Sequence, residues 1–317
     1  MSPQFKSRAM ALATLIIFIV AVWVLRNSLS GLQWNDVVSH LRRLSALQLA
    51  MATLMVACSY VALSFHDWLA VRFVGGALRW REIAPVSFTA GAIGLNLGLT
   101  SITGGAVRLQ SYTRLGLSAA QVGGIIAMCA ITFGLGVNVL LNSSLLLQPM
   151  LAARVLGITP ETARVLGALG FVGLCGWFWL TAGRSHKPFT LAGHRFTPPR
   201  ASFTLRQLLA GAADLSCSAI ALYWLLPDLG GIGFAAFIGS YVLAMAAGIF
   251  SSVPGGLGVF ESVLLLTLPD VPKAEVIGAA LAFRLLYFLL PFALALLWLL
   301  LRMLRPLPRR LPVPQAP

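Results

Sequence analysis

Apolar residues along this chain come in long runs, not in the alternation of a half-buried strand. The runs fall at residues 9–25, 46–65, 84–100, 118–141, 165–182, 207–226, 234–253 and 274–301. A helix crosses the hydrocarbon core of a bilayer with about 17–25 apolar residues, and every run except the longer last one matches that length. At about 1.5 Å per residue the first run spans roughly 26 Å. It is longer than the apolar core of a signal peptide and is followed by Arg26-Asn27-Ser28, so it reads as a retained first helix. Residues 34–43, WNDVVSHLRR, read equally as a short amphipathic helix on the membrane surface and as a solvated charged face. The polar stretch 183–206, with Pro188, Pro198 and Pro199, is the expected linker. The basic, Pro-rich tail after Arg305 is expected to be disordered.

Two stretches depart from simple helix counting. One is GLTSITGGAVRLQSYTRLG at 98–116, the other SSVPGGLGVFESVLLLTLP at 251–269. Each sets a Gly-Gly pair between an apolar helix and a short second one, and residues 257–268 are too few to span alone. Non-helical backbone at membrane depth needs protein or a cavity around it. Both stretches therefore read as hairpins that enter the membrane and turn back, against the plainer reading of a loop after a short helix. Basic residues then fall on one side. Lys6, Arg8, Arg72, Arg79, Arg81, Arg184, Lys187, Arg195, Arg200, Arg206, Arg302, Arg305, Arg309 and Arg310 would be cytoplasmic. They outnumber Arg26, Arg42, Arg43, Arg154, Arg164 and Lys273 outside, as cytoplasmic loops require. The expected fold is all-α and polytopic, with about eight membrane segments in a four-plus-four inverted repeat and two re-entrant broken-helix hairpins. Residues 1–317 form a single integral membrane domain on this reading, with repeats at about 9–142 and 164–302 and a tail at 303–317. Such repeats are a transporter architecture whose site lies near the midplane.

Composition agrees. The 317 residues are 58% hydrophobic and 10% charged, which excludes a soluble enzyme, a disordered chain and a disulfide scaffold. The net charge of +14 comes mainly from loops and tails, so it speaks for topology and anionic lipid before nucleic acid. Cys58, Cys129, Cys175 and Cys217 each sit inside an apolar run without CxxC spacing and read as small buried hydrophobes. The sequence carries no HExxH and no GxxxxGK[ST] phosphate loop, and no cofactor is expected.

The candidate chemistry lies in the broken stretches. A helix that starts after Gly104-Gly105 or after Pro254-Gly255-Gly256 would present free backbone N–H groups and the positive end of its dipole, which suits phosphate. Arg108 would lie in the first turn of the first of these. Helix packing is the bland alternative for glycines in membrane segments, as for the GLNLG match at 94–98. Arg108, Asp214, Glu261 and Arg284 place two positive and two negative charges at membrane depth. Each costs about 2.5–3.5 kcal/mol at the centre of a spanning helix. They form either a structural ion-pair network or a polar path for a charged headgroup. Tyr112, Tyr223, Tyr241 and Tyr287, and more weakly Asn96 and Asn138, read as interface or packing residues before ligands.

At these residues the chain resembles a known family. TGGAVRLQSYTRLGLS, the aspartate of LLAGAADLSCSAIALYWLLP, VPGGLGVFESVLLLTLP and ALAFRLLYFLLPFALALL are similar to the flippase domain of the multiple peptide resistance factor. Its members are bifunctional lysylphosphatidylglycerol synthase/flippases. The similarity runs through roughly residues 40–300, and PGGLGVFE is its most specific block. The resemblance implies a lipid flippase of a bacterial inner membrane. Its substrate would be an anionic or aminoacylated phospholipid such as lysyl- or alanyl-phosphatidylglycerol, and its effect resistance to cationic peptides. It also implies that Arg108, Asp214, Glu261 and Arg284 are polar core positions. Full-length members continue into an aminoacyl transferase domain, whereas this chain ends at Pro317, so no transferase activity is expected. Stand-alone relatives are associated with hopanoids and polyprenyl-linked sugars, which keeps a different lipid open as the alternative. So does a non-transporting subunit that holds a separate lipid synthase. The expected partners are the phospholipid, the bilayer, such a synthase and a second copy of the chain.

The topology makes a direct prediction. Both termini should be cytoplasmic and Asp228 and Asp270 outside. Cysteines introduced as Asp228→Cys and Asp270→Cys should react with a membrane-impermeant maleimide added to whole cells. Labelling of either from the cytoplasmic side alone would end the inverted-repeat argument.

Overall fold

The computed structural model describes residues 34–97, 100–183, 189–191, 194–196, 199–226, 232–250 and 254–304. The expected first helix at 9–25 and the tail after Arg305 lie outside them. Twelve helices are described: α1 Trp34–Arg43, α2 Ala46–Phe73, α3 Trp80–Leu97, α4 Thr100–Arg114, α5 Ala119–Leu147, α6 Pro149–Leu156, α7 Pro160–Gly183, α8 Ala201–Leu225, α9 Phe234–Phe250, α10 Val259–Thr267, α11 Lys273–Phe283 and α12 Leu290–Leu304. A 3-10 turn, Pro254–Gly256, precedes α10, and a π-helical stretch, Arg284–Leu289, joins α11 to α12. The expected linker holds a small antiparallel hairpin, β1 Phe189–Leu191 and β2 His194–Phe196, with Phe189 opposite Phe196. Among the described residues five helices are long and apolar enough to cross a membrane: Ala46–Phe73, Ala119–Leu147, Pro160–Thr181, Ala201–Leu225 and Lys273–Leu301. The protein is a multi-pass membrane protein.

Local sequence explains the helix ends. α2 and α5 open with the same device, Ser-x-x-Gln. The Gln48 N–H donates to Ser45 Oγ at 3.2 Å while Ser45 N–H donates to Gln48 Oε1 at 2.9 Å. Gln121 and Ser118 repeat this at 3.2 and 2.9 Å. Both satisfy donors that the first helical turn leaves open. α6, which the hydropathy pattern does not announce, begins at Pro149 and is closed by Gly157 in the left-handed region.

The helices pack through small residues. α2 lies along α8, and α8 crosses α5 at Gly136 and Gly211, where a Cβ on either glycine would strike the other helix's backbone. α3 and α4 form one helix pair, α9 and α10 another, and α3 also touches the Pro254–Gly256 turn. One core, including Tyr60, Leu222, Phe237, Tyr241, Phe283 and Tyr287, joins α2, α8, α9 and α11; a second, including Ile83, Tyr112, Ile125 and Met128, joins α2 to α5. α7 turns an apolar face outward, with Val172 66% and Trp179 71% exposed. Cys129 is buried as expected, whereas Cys175 on α7 is exposed and Cys58 and Cys217 are half-buried.

Gly211→Val should drive a branched side chain into the Thr132 carbonyl and destabilise the fold by about 1–3 kcal/mol. Gly123→Ala, on the same α5 but with no atom within 4 Å of the new Cβ, should leave the unfolding midpoint in detergent unchanged or slightly raised. Equal melting of the two variants would count against close packing at this crossing.

Candidate functional site

Charge inside the helix bundle is arranged in three groups. In the first, Asp67 near the end of α2 receives Arg108 from α4 in a two-point contact, Nε at 2.8 Å and Nη2 at 2.7 Å. The Tyr112 hydroxyl donates to the same carboxylate at 2.9 Å and the Ser87 hydroxyl of α3 at 2.8 Å. Four donors therefore fill both carboxylate oxygens, and Asp67 is fully buried. This group ties α2, α3 and α4 together.

The expectation for the first Gly-Gly pair is corrected here. Gly104 and Gly105 lie inside α4, well past its start, so they offer no free N–H groups. Gly104 lets α4 approach α3: a Cβ there would sit 2.7 Å from the Ala90 carbonyl oxygen. Arg108 is accordingly not in an opening turn, and its guanidinium is already held by Asp67. Asp67 was missed in the sequence because the apolar run 46–65 stops just before it. The signal was present: Trp68-Leu69-Ala70-Val71 continues the apolar stretch beyond Asp67, which places that carboxylate inside the helix.

The second group surrounds Gly255 and Gly256, and here the chain does turn just before a short helix, α10. Both glycines have positive φ, 62° and 61°, as does Gly258 at 79°, a region that favours glycine. α10 follows at once. Its open N-terminus is met by its own Glu261, whose Oε2 accepts the Gly258 N–H at 2.8 Å. Arg284 then donates Nε to Glu261 Oε1 at 2.6 Å and Nη1 to the Gly255 carbonyl at 2.9 Å. The guanidinium also lies over the Phe288 ring. The side chains are 11% and 16% exposed, against 9% and 0% for Arg108 and Asp67, so the two arginines are alike and the difference lies in the acid, which is partly exposed here and sealed there.

Asp214 on α8 is the third group. It accepts a hydrogen bond from Ser59 of α2, and Ser59 Oγ lies 3.0 Å from Tyr287 Oη. Among the described residues no cationic side chain pairs with it. Tyr241 donates to Ser218 at 2.8 Å one turn along the same helix. The expected set of four mutually compensating charges is thus divided: Glu261 and Arg284 meet, Arg108 takes a partner of its own, and Asp214 is held by the Ser59 hydroxyl.

The π-helical stretch links the second and third groups, since it carries both Arg284 and Tyr287. π-Helical turns loosen the regular backbone pattern and recur at functional sites. Here the Tyr60 hydroxyl donates to the Tyr287 carbonyl at 3.1 Å and Asn96 Nδ2 to the Phe288 carbonyl at 2.9 Å. Among the described residues no group of three or more His, Cys, Asp or Glu side chains could hold a metal ion.

No protein-family model matches the chain. It is 30% identical over 282 residues to the uncharacterized protein slr0712 of Synechocystis, a match that covers 88% of this chain and 87% of that one. With the inner membrane protein YbhN of Escherichia coli it shares 28% identity over 296 residues, 92% of each. Phosphatidylglycerol lysyltransferase of Staphylococcus aureus is 23% identical over 288 residues, which is 89% of this chain and 32% of that enzyme, in its N-terminal part.

The two ion pairs should respond differently to loss of the acid. Asp67→Asn leaves a buried guanidinium uncompensated and should cost about 3–5 kcal/mol of stability. Glu261→Gln, at a partly open pair, should cost clearly less. Denaturant unfolding of both variants checks this, and a wild-type midpoint for Asp67→Asn would exclude its bracing role.

Proposed function

The chain belongs to the membrane-protein family that includes slr0712 of Synechocystis, and from that premise we propose that it moves an anionic or aminoacylated phospholipid between the leaflets of a bacterial inner membrane. Homology to YbhN, an inner membrane protein, and to the N-terminal part of a lysyltransferase of phosphatidylglycerol supports a lipid-related role. Movement and substrate are the proposal.

The observation that carries it is the open pair Glu261–Arg284 at the start of the broken helix. In an apolar domain such a pair is a stand-in for a headgroup that bears both charges. A lipid phosphate takes the forked donors of Arg284, and an ammonium takes Glu261, with Asp214 next along the Tyr287–Ser59 chain. Each half of the pair is exchanged for an equivalent charge, so neither is left bare in the membrane. On this reading the helix pairs α3–α4 and α9–α10 turn back within the bilayer. α4 rises about 22 Å and α10 about 13 Å, both short of a full crossing. The Arg108–Asp67 pair braces the first of them, and both termini face the cytoplasm.

The test is lipid movement in reconstituted vesicles, with lysyl-phosphatidylglycerol and plain phosphatidylglycerol. Glu261→Gln should slow the aminoacylated lipid by about tenfold, the value of one lost charge-assisted contact, and affect the plain lipid less. Arg284→Lys keeps the charge but loses the fork, and should slow both. Equal loss of both lipids at Glu261→Gln would remove the ammonium from Glu261. Wild-type rates in both variants would refute the path.

A further inference from the structure

An open groove of about 420 Å³ runs along the outside of the α2–α8 pair. Its walls include Val61, Phe65 and Trp68 of α2 and Leu209 and Ala213 of α8, with Arg206 at one end. Val61, Phe65 and Leu209 are 52%, 46% and 58% exposed, so the walls face outward. From Arg206 to the far end at Cys217 the groove follows α8 for roughly 16 Å.

Its two ends are chemically unlike. At the Arg206 end, Arg72 extends from α2 with its guanidinium 5.6 Å from the Trp68 ring. Phe73 and Phe203 hold this end of the helix pair together, with ring centroids 5.5 Å apart. Arg72 and Arg206 are both exposed, and among the described residues neither meets a carboxylate. The remainder of the groove is apolar. A tryptophan with arginines at the end of two spanning helices is the arrangement expected where hydrocarbon gives way to headgroups.

We infer that this groove binds one anionic phospholipid, its acyl chain along α2 and α8 and its phosphate at Arg206 and Arg72. Charge complementarity decides among occupants. The groove asks for an anion attached to an apolar tail, which a phospholipid supplies with one of its two acyl chains while the other faces the bilayer. A second copy of this chain, with net charge +14, would bring like charge to the basic end. Cys58 and Ala213 on the groove adjoin Ser59 and Asp214 in the sequence, so a lipid seated here lies on the outer side of the same helix pair whose inner side holds the Asp214 carboxylate. The inference rests on the chain being a membrane protein and not on transport. Its test measures retention alone, so a chain that moves no lipid can still pass or fail it.

The experiment is native mass spectrometry of the detergent-purified protein after incubation with phosphatidylglycerol or with phosphatidylcholine of the same acyl chains. One phosphatidylglycerol should be retained per chain, with phosphatidylcholine about fivefold less. Arg206→Gln should bring phosphatidylglycerol down toward that lower level. Ala213→Trp and, from the opposite wall, Val61→Trp fill the groove from exposed positions and should reduce retention of both lipids at an unchanged melting temperature. Equal retention of the two lipids would overturn the phosphate contact. Wild-type retention in both tryptophan variants would overturn the groove. A dimer that the tryptophan variants dissociate would assign the groove to a second copy and overturn the lipid.

Discussion

The Asp67 carboxylate is the constraint around which the first half of the bundle is assembled. A buried ion is tolerated only when it is paired and its remaining lone pairs are filled, and here that takes one side chain from α3 and two from α4 as well as the aspartate of α2. Moving α2 or α4 by a fraction of a turn would leave a charge uncovered, and moving α3 would leave a carboxylate lone pair unfilled. The contact is therefore directional in a way that the surrounding apolar packing is not. It sets α4 against α3 closely enough that Gly104 meets the Ala90 carbonyl with no room for a side chain.

The second half solves the same problem with less closure. Glu261 is used twice, once by the backbone of its own helix start and once by Arg284, and the pair keeps contact with its surroundings. Asp214 has only hydroxyl company among the described residues. The bundle therefore holds three buried or part-buried acids in three states: Asp67 sealed by a guanidinium, Glu261 part-exposed beside one, and Asp214 buried without a cation among the described residues. On the proposed function the first braces the fold and the other two meet the lipid headgroup.

Much of this was legible in the sequence. Hydropathy alone located α2, α3, α5, α7, α8, α9 and the rod of α11 and α12, but it stopped eight residues short of the end of α2 and did not show α6, and α4 begins before the Gly-Gly pair expected to precede it. The Pro254-Gly255-Gly256 turn could be read because paired glycines beside a proline favour the positive φ it turns out to have. The same letters at Gly104-Gly105 meant something else, since a glycine pair that permits a turn equally permits two helices to touch. One sequence does not contain the partner that decides between them, here Ala90. Asp67 escaped for a related reason: a charge at the edge of an apolar run looks like the end of a helix until Arg108 is found opposite it. The pairing of Glu261 with Arg284 was more accessible because opposite charges on adjacent apolar segments have few other ways to be satisfied.

The π-helical stretch Arg284–Leu289 has a geometric effect beyond the side chains it carries. One surplus residue advances everything downstream by about 100° around the axis. The long helix that begins at Lys273 consequently has two seams out of phase. Before the stretch it faces α1, α8 and α10; after it, α12 faces α3, with Phe292 and Leu296 against Ile93. A uniform helix would present one continuous stripe and could lie along only one of these neighbours. The phase slip lets a single rod serve as the common wall of both halves, and it falls at the residues that hold Glu261 and Ser59.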